Sequence, residues 1–220
     1  MGRIETDLKL SCLVHDLNNV FQTLTEAADL LSTDPQWAGL AAAIVRSIER
    51  GRNLTQSIHT TEENPAPFEE ILGDSIAFVE DSLIAGRGPR IEFECDVEKG
   101  IELRRNWAWE RVLINLFSNA VRAMPEGGKI RVGAHRREHE IEIHVADEGP
   151  GIPTAMLPQM FEPHVSSWDS ARGSGLGLHI VRTIVTEDGG EVTASNRPGG
   201  RGAEFTIIVP AVEDARPAHA

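Results

Sequence analysis

Cysteine is nearly missing from this chain of 220 residues: Cys12 and Cys95 are the only two, and they form no metal-ligand pair. Each sits in an apolar-periodic stretch, so two reduced, buried thiols are expected. Basic residues are also short, with 21 Lys and Arg against 34 Asp and Glu and a net charge of -13. Nucleic acids and anionic membranes both need Lys and Arg to neutralise their phosphates, so neither is expected as a partner. No run approaches the roughly 20 apolar residues of a membrane span, and no signal peptide is visible. A cytoplasmic protein, or a cytoplasmic piece of something larger, with no direct membrane insertion, is the expectation. What is present is ordinary for a globular chain, 40% apolar and 25% charged. The length suits one large domain, or a normal domain with a short appendage.

Apolar residues divide the chain into two styles. Over residues 4–32, Ile4, Leu8, Ser11 or Cys12, Val14, Leu17, Phe21, Leu24, Ala28 and Leu31 recur at mostly three- and four-residue steps, which predicts one long helix. Thr33-Asp34-Pro35 reads as a stop and restart, with Asp34 able to cap and Pro35 suited to a first helical turn. A second helix is expected over 36–59, with Leu40, Ile44, Ile48, Leu54 and Ile58 on one side. Residues 1–60 thus form an antiparallel helical hairpin. Two helices cannot enclose a core, so the apolar stripe is expected to pair with a second copy as a dimeric four-helix bundle.

Residues 61–67 are polar and proline-rich and read as a linker. From residue 68 to 212 helix and strand patterns mix, and 213–220 reads as a flexible tail. Helices are expected over 68–83 and 107–124, the latter with Trp109, Val112, Leu113, Leu116, Phe117, Ala120 and Met124 on its buried face. Strands are expected over 90–95, 129–134, 140–146, 191–195 and 203–209. The fold class is therefore α+β: a helical hairpin followed by an α/β sandwich with helices on one face of the sheet. Residues 148–172 carry little regular pattern, and a long irregular insert in a compact domain is usually functional, often a lid.

Chemistry gathers at four places. Asn115 and Asn119 stand one turn apart on the long helix, facing the same way. Two surface amides are the plain alternative; amide oxygens at that spacing could also hold hydrated magnesium. Arg122, three residues on, would point along the same face. Asp147-Glu148-Gly149-Pro150-Gly151 ends a strand, where a carboxylate followed by glycines could accept the amino group of adenine. Arg172-Gly173-Ser174-Gly175-Leu176-Gly177 places three glycines at alternate positions before the apolar-periodic helix that begins near Leu178. Such a turn lets backbone N–H groups approach phosphates at a helix N-terminus. On the first helix, His15-Asp16-Leu17-Asn18-Asn19 joins an imidazole to a neighbouring carboxylate, which can hold the protonated ring nitrogen and leave the other free to attack. Asn19, one turn after His15, could orient a water.

The ordered series Asn-x-x-x-Asn, Asp-x-Gly-x-Gly, lid and Gly-x-Gly-Leu-Gly resembles the ATP-binding domain of sensor histidine kinases. That Bergerat-type fold is shared with DNA gyrase, a class of heat-shock chaperones and mismatch-repair ATPases. The resemblance covers residues 68–210. It implies that Asn119 is a Mg2+ ligand assisted by Asn115, and that Asp147 binds adenine. Gly149 and Gly151 would shape the nucleotide floor; Gly173, Gly175 and Gly177, with Arg172, Leu176 and Arg122 nearby, would serve the phosphates of ATP. Asn115 occupies the place where gyrase-like and chaperone ATPases carry a water-activating glutamate, which favours phosphoryl transfer over hydrolysis. The box at His15 is similar to the family's phospho-acceptor box, with Asn19 at a position that supports dephosphorylation of the partner. The partners so implied are a second copy of the chain, a response regulator receiver domain and a separate sensor or regulatory protein.

The chain departs from the family after Met160-Phe161-Glu162-Pro163. Further aromatic residues, threonines and a lysine are usual there; this chain has His164-Val165-Ser166-Ser167-Trp168, with Arg172 the only nearby cation. His15 lies close to the first residue, so the expectation is an excised kinase core or a stand-alone kinase controlled by another subunit. The alternatives are a histidine phosphotransferase that does not use ATP, and a Bergerat-fold ATPase or serine kinase whose hairpin only dimerises. A scaffold with a vestigial nucleotide site is a third.

Overall fold

The computed structural model describes residues 2–57, 65–86, 88–104, 106–165, 175–197, 199 and 201–212, with side chains in the first helix described from Asp16 onward. The chain divides into two compact units. The first contains α1 (Gly2–Ser32) and α2 (Ala38–Ser57). The second helix starts later than its periodicity suggests, because residues 33–37 form the turn. There Asp34 Oδ1 accepts the Gln36 N–H at 2.9 Å, and the Trp37 N–H bonds to the Asp34 carbonyl. The two helices run side by side as a hairpin, with the Phe21 ring against Gly51, where a Cβ would lie 2.6 Å from it. Ala28, Ala41 and Ile48 are buried, whereas Val20, Leu24 and Leu31 are 54%, 44% and 36% exposed.

The second unit is α+β. In chain order it contains β1 (Ala66–Pro67), α3 (Phe68–Gly86), β2 (Ile91–Val97), β3 (Glu102–Leu103) and α4 (Asn106–Ala123). Then come β4 (Gly128–Arg137), β5 (Glu140–Asp147), α5 (Gly177–Glu187), β6 (Glu191–Asn196) and β7 (Ala203–Pro210). The large sheet has the order β2-β4-β5-β7-β6; β2 and β4 are parallel and the other neighbours antiparallel, so the sheet is mixed. A parallel pair needs a crossover, and α4 lies within it.

Strand alternation sets the layers. Ile130, Val132 and Ala134 of β4, and Ile141, Ile143 and Val145 of β5, are buried on one face. They join one core with Phe68, Ile71 and Leu72 of α3, the apolar stripe of α4, and Val181, Ile184 and Val185 of α5. The opposite face is charged: Arg131 reaches Glu94 of β2 and Glu148 beyond β5, each at 2.8 Å. Trp109, buried on α4, donates its indole N–H to Asp188 Oδ2 at 2.8 Å, fastening α4 to the end of α5. Tight packing of this kind between the two site-bearing helices fixes their spacing.

Two expectations need correction. Ala66 and Pro67, assigned to the linker, instead pair antiparallel with Leu103 and Glu102. The Phe68 N–H then bonds to the Ile101 carbonyl at 2.8 Å, so this segment belongs to the folded unit. Cys95 is exposed rather than buried. It lies on β2, an edge strand of the sheet. An edge strand's inward face is only partly covered, and local burial still raises the thiol pKa. The side chain of Cys12, residues 58–60 of the expected hairpin, residues 61–64 of the expected linker and the tail 213–220 lie outside what the structure describes. No described helix is long and apolar enough to cross a membrane.

Candidate functional site

The site is organised around Asp147, the last residue of β5, which is only 5% exposed. Its Oδ1 accepts the Gly149 N–H at 2.8 Å and the Ala203 N–H at 3.1 Å. The first bond closes the turn after β5; the second comes from the start of β7, the antiparallel neighbour. Oδ2 carries no hydrogen bond from the described residues. Burial pushes the carboxyl pKa above its ordinary value, while the Ala203 and Gly149 N–H groups and the Arg197 charge pull the other way. A buried carboxylate with one oxygen fixed and one open is a pre-oriented acceptor for an external N–H donor.

A cavity of about 200 Å³ adjoins it. Asn115, Asn119 and Arg122 of α4, Asp147, Gly151, Gly175 and Gly177 all line this space. Helical spacing explains the first three, since residues three and four apart share a face. Leu116, Phe117 and Ala120 bury the opposite side of α4 and hold the two amides at the margin of the core. Asn115 Nδ2 donates to the Arg111 carbonyl at 2.7 Å, and its Oδ1 lies where a Cβ on Gly177 would come within 2.8 Å. Any larger residue there would have to push the Asn115 carboxamide aside. The Asn119 side chain makes no hydrogen bond to the described residues and lines the cavity, so its carboxamide is available to something there.

The glycine turn leads straight into α5, whose cap residue Leu176 provides no side-chain hydrogen bond to the first helical N–H groups. Those donors are left for an anion. Gly175 takes φ +67°, and its carbonyl accepts the His164 N–H at 3.1 Å. His164 itself has φ +64°, uncommon outside glycine, although histidine tolerates it better than most residues. Residues 164 and 175 therefore tie the two ends of the intervening segment together.

The start of the expected lid, residues 148–165, has no helix or strand and proceeds through successive turns. It is docked on α5 rather than loose. His179 Nδ1 lies 3.3 Å from the Phe161 carbonyl, and Arg182 reaches Glu162 at 3.0 Å. Phe161 packs edge-on against Phe205 with centroids 6.5 Å apart.

Gly149 and Leu176 do not line the cavity; Gly149 acts through its N–H on Asp147, and the Leu176 carbonyl accepts the Ile180 N–H at 2.9 Å. Arg172 and Gly173 lie outside the described residues. So does the side chain of His15. Asp16 and Asn19 are exposed on α1, in the first unit. Sequence reasoning missed Ile152, Met156, Met160, Ala203 and Phe205 on the cavity wall. Only Met160 carried a signal, as the first residue of the Met160-Phe161-Glu162-Pro163 run. Among the described residues there is no cluster of three His, Cys, Asp or Glu that could hold a metal ion.

Residues 107–213 match the family described as histidine kinase-, DNA gyrase B-, and HSP90-like ATPase. The signal transduction histidine-protein kinase AfsQ2 of Streptomyces coelicolor is 29% identical over 217 residues, covering 89% of this chain and 40% of that protein. The signal transduction histidine-protein kinase/phosphatase MprB of Mycolicibacterium smegmatis is 33% identical over 187 residues, 80% of this chain and 38% of that protein. The chain thus spans well under half the length of these two relatives. Among solved structures, a mycobacterial sensor histidine kinase MprB superposes with a TM-score of 0.59 at 27% identity. That match covers 68% of this chain and 97% of the other.

Proposed function

We propose that residues 107–213, which match the histidine kinase-, DNA gyrase B-, and HSP90-like ATPase family, form an ATP-binding domain, and that the chain is the core of a protein-histidine kinase. One observation carries the reading furthest. Asn119, Asp147, Gly175 and Gly177, spread across the sequence, line a single cavity with an open carboxylate oxygen at one place and uncapped helix donors at another. Asp147 Oδ2 accepts the amino group of adenine, and the α5 N-terminus takes the phosphates. A Mg2+ ion suits the free amide of Asn119, because this hard cation prefers oxygen ligands; when bound it offsets charge on the β- and γ-phosphates.

His15 is the acceptor in this reading. One imidazole nitrogen attacks the γ-phosphorus as the bond to the β–γ bridging oxygen breaks, and ADP leaves. Asp16 favours the imidazolium that develops, and Asn19 serves water-mediated dephosphorylation of the partner. The phosphoryl group passes next to an aspartate of a response regulator. Asn115, where the hydrolases carry a glutamate, supports transfer over hydrolysis. The exposed Val20, Leu24 and Leu31 recur at steps of four and seven on α1, the spacing of a helix-packing seam, and support burial against a second copy. The protein works as a cytoplasmic homodimer, with input from a separate sensor or regulatory protein.

Incubation with Mg-ATP labelled at the γ-phosphate tests the proposal. Acid-labile, alkali-stable protein-bound phosphate is expected; phosphate stable to acid would point to a hydroxyl acceptor and sink it.

Asp147 adds a pH prediction. Its pKa is raised in the folded chain, so protonation favours folding, and this contribution is lost as pH rises through the folded value. Adenine recognition needs the opposite, ionised state. ADP affinity should therefore fall as pH drops, beginning above the ordinary aspartate range. Asp147→Asn should weaken ADP about 10- to 100-fold at neutral pH, as for loss of a charge-assisted hydrogen bond. It should flatten this pH dependence and leave the melting temperature equal or higher. ADP titrations at several pH values, with thermal melts, check all three.

A further inference from the structure

Asn196 lies outside the asparagine, aspartate and glycine motifs and outside the cavity lining. It is the last residue of β6. Its carboxamide faces Ile152, 44 residues earlier, and makes both possible bonds to that residue's backbone. Oδ1 accepts the Ile152 N–H at 2.6 Å, and Nδ2 donates to the Ile152 carbonyl at 2.8 Å. Gly151, just before, has φ +81°, and a Cβ on it would lie 2.6 Å from Asn196 Oδ1. The loop therefore touches the amide at a position only glycine accepts. Gly151 and Ile152 both line the cavity.

We infer that Asn196 is a positioning residue of the nucleotide site, holding the Gly151–Ile152 backbone that forms its floor. The assignment rests on the nucleotide reading above. Side-chain chemistry singles out asparagine. The bond pair requires an acceptor and a donor on two separate atoms at the same short reach, which a carboxamide provides; a carboxylate lacks the donor, and a hydroxyl has only one atom for both. Ala203, the register partner of Asn196 on β7, sends its N–H to Asp147 Oδ1. One pair of strand ends thus grips both the carboxylate that reads the base and the loop beneath it. Asn196 touches no substrate; it acts through Ile152.

Calorimetric titration of ADP into the intact chain separates this role from simple support of the fold. Asn196→Ala should weaken ADP about tenfold, as expected when two ordinary hydrogen bonds are lost and the loop relaxes, with binding stoichiometry unchanged. Hydrogen exchange at the Ile152 amide should accelerate. Asn196→Asp, nearly isosteric, keeps the acceptor and loses the donor, and should fall between parent and alanine variant. It also keeps the test open should the alanine variant fold poorly. Reduced stoichiometry at unchanged affinity would mean a purely structural role and overturn the assignment, as would parent-like affinity in both variants. A parent that binds no ADP at all would overturn the nucleotide reading, and this assignment with it.

Discussion

Replacing His15 with alanine is expected to remove all protein-bound phosphate formed from Mg-ATP while leaving ADP affinity within about twofold of the parent. The two halves of this result have separate physical origins. An alanine offers no nucleophile, and an activated nucleophile is the one covalent contribution the protein makes to phosphoryl transfer. The described lining of the cavity, however, comes from the second compact unit, from Asn115 to Phe205. Removing an imidazole from α1 changes none of those residues. Electrophoresis after acid and alkaline treatment reads the first half, and calorimetry the second. Label that survives the substitution would place the acceptor elsewhere. Loss of ADP binding along with the label would mean that His15 supports the fold of the nucleotide unit rather than the chemistry.

The same contrast between local and distant determinants explains what the sequence made legible. The buried face of α4 and the placement of Asn115, Asn119 and Arg122 followed from helical periodicity, because that pattern is set within a few turns. β4, β5 and β7 followed from alternation for the same reason. β1 and β3 did not, since two residues cannot establish a period of two; Ala66 and Leu103 become strand only by finding each other. Alternation correctly turned Cys95 toward the helix side of β2 but carried no information that β2 would lie at the edge. Asn196 was invisible for a further reason. Its partner is Ile152, and nothing near Asn196 in sequence announces that contact. Motifs revealed the groups that meet the ligand; the groups that hold those groups in place became evident only through the fold.

The second large effect is expected at Asn119. Asn119→Ala should lower the rate of phosphate labelling on the order of 100- to 1000-fold, the range for losing one preorganised charge-stabilising group. ADP affinity measured without Mg2+ should scarcely change, because Asp147 and the α5 N-terminus remain. Fold stability should also hold. The carboxamide bonds to none of the described residues, the core-facing residues of α4 lie on its other side, and alanine has the better helix propensity. Asn119→Asp distinguishes metal binding from shape: a carboxylate still offers oxygen to the cation, yet it adds negative charge beside the phosphates. It should therefore retain Mg2+-dependent ADP binding while labelling slowly. Parallel measurements of labelling rate, and of ADP affinity with and without Mg2+, decide the matter. Equal loss of ADP affinity in both conditions would mean that Asn119 shapes the pocket, and the metal role would then have to pass to Asn115.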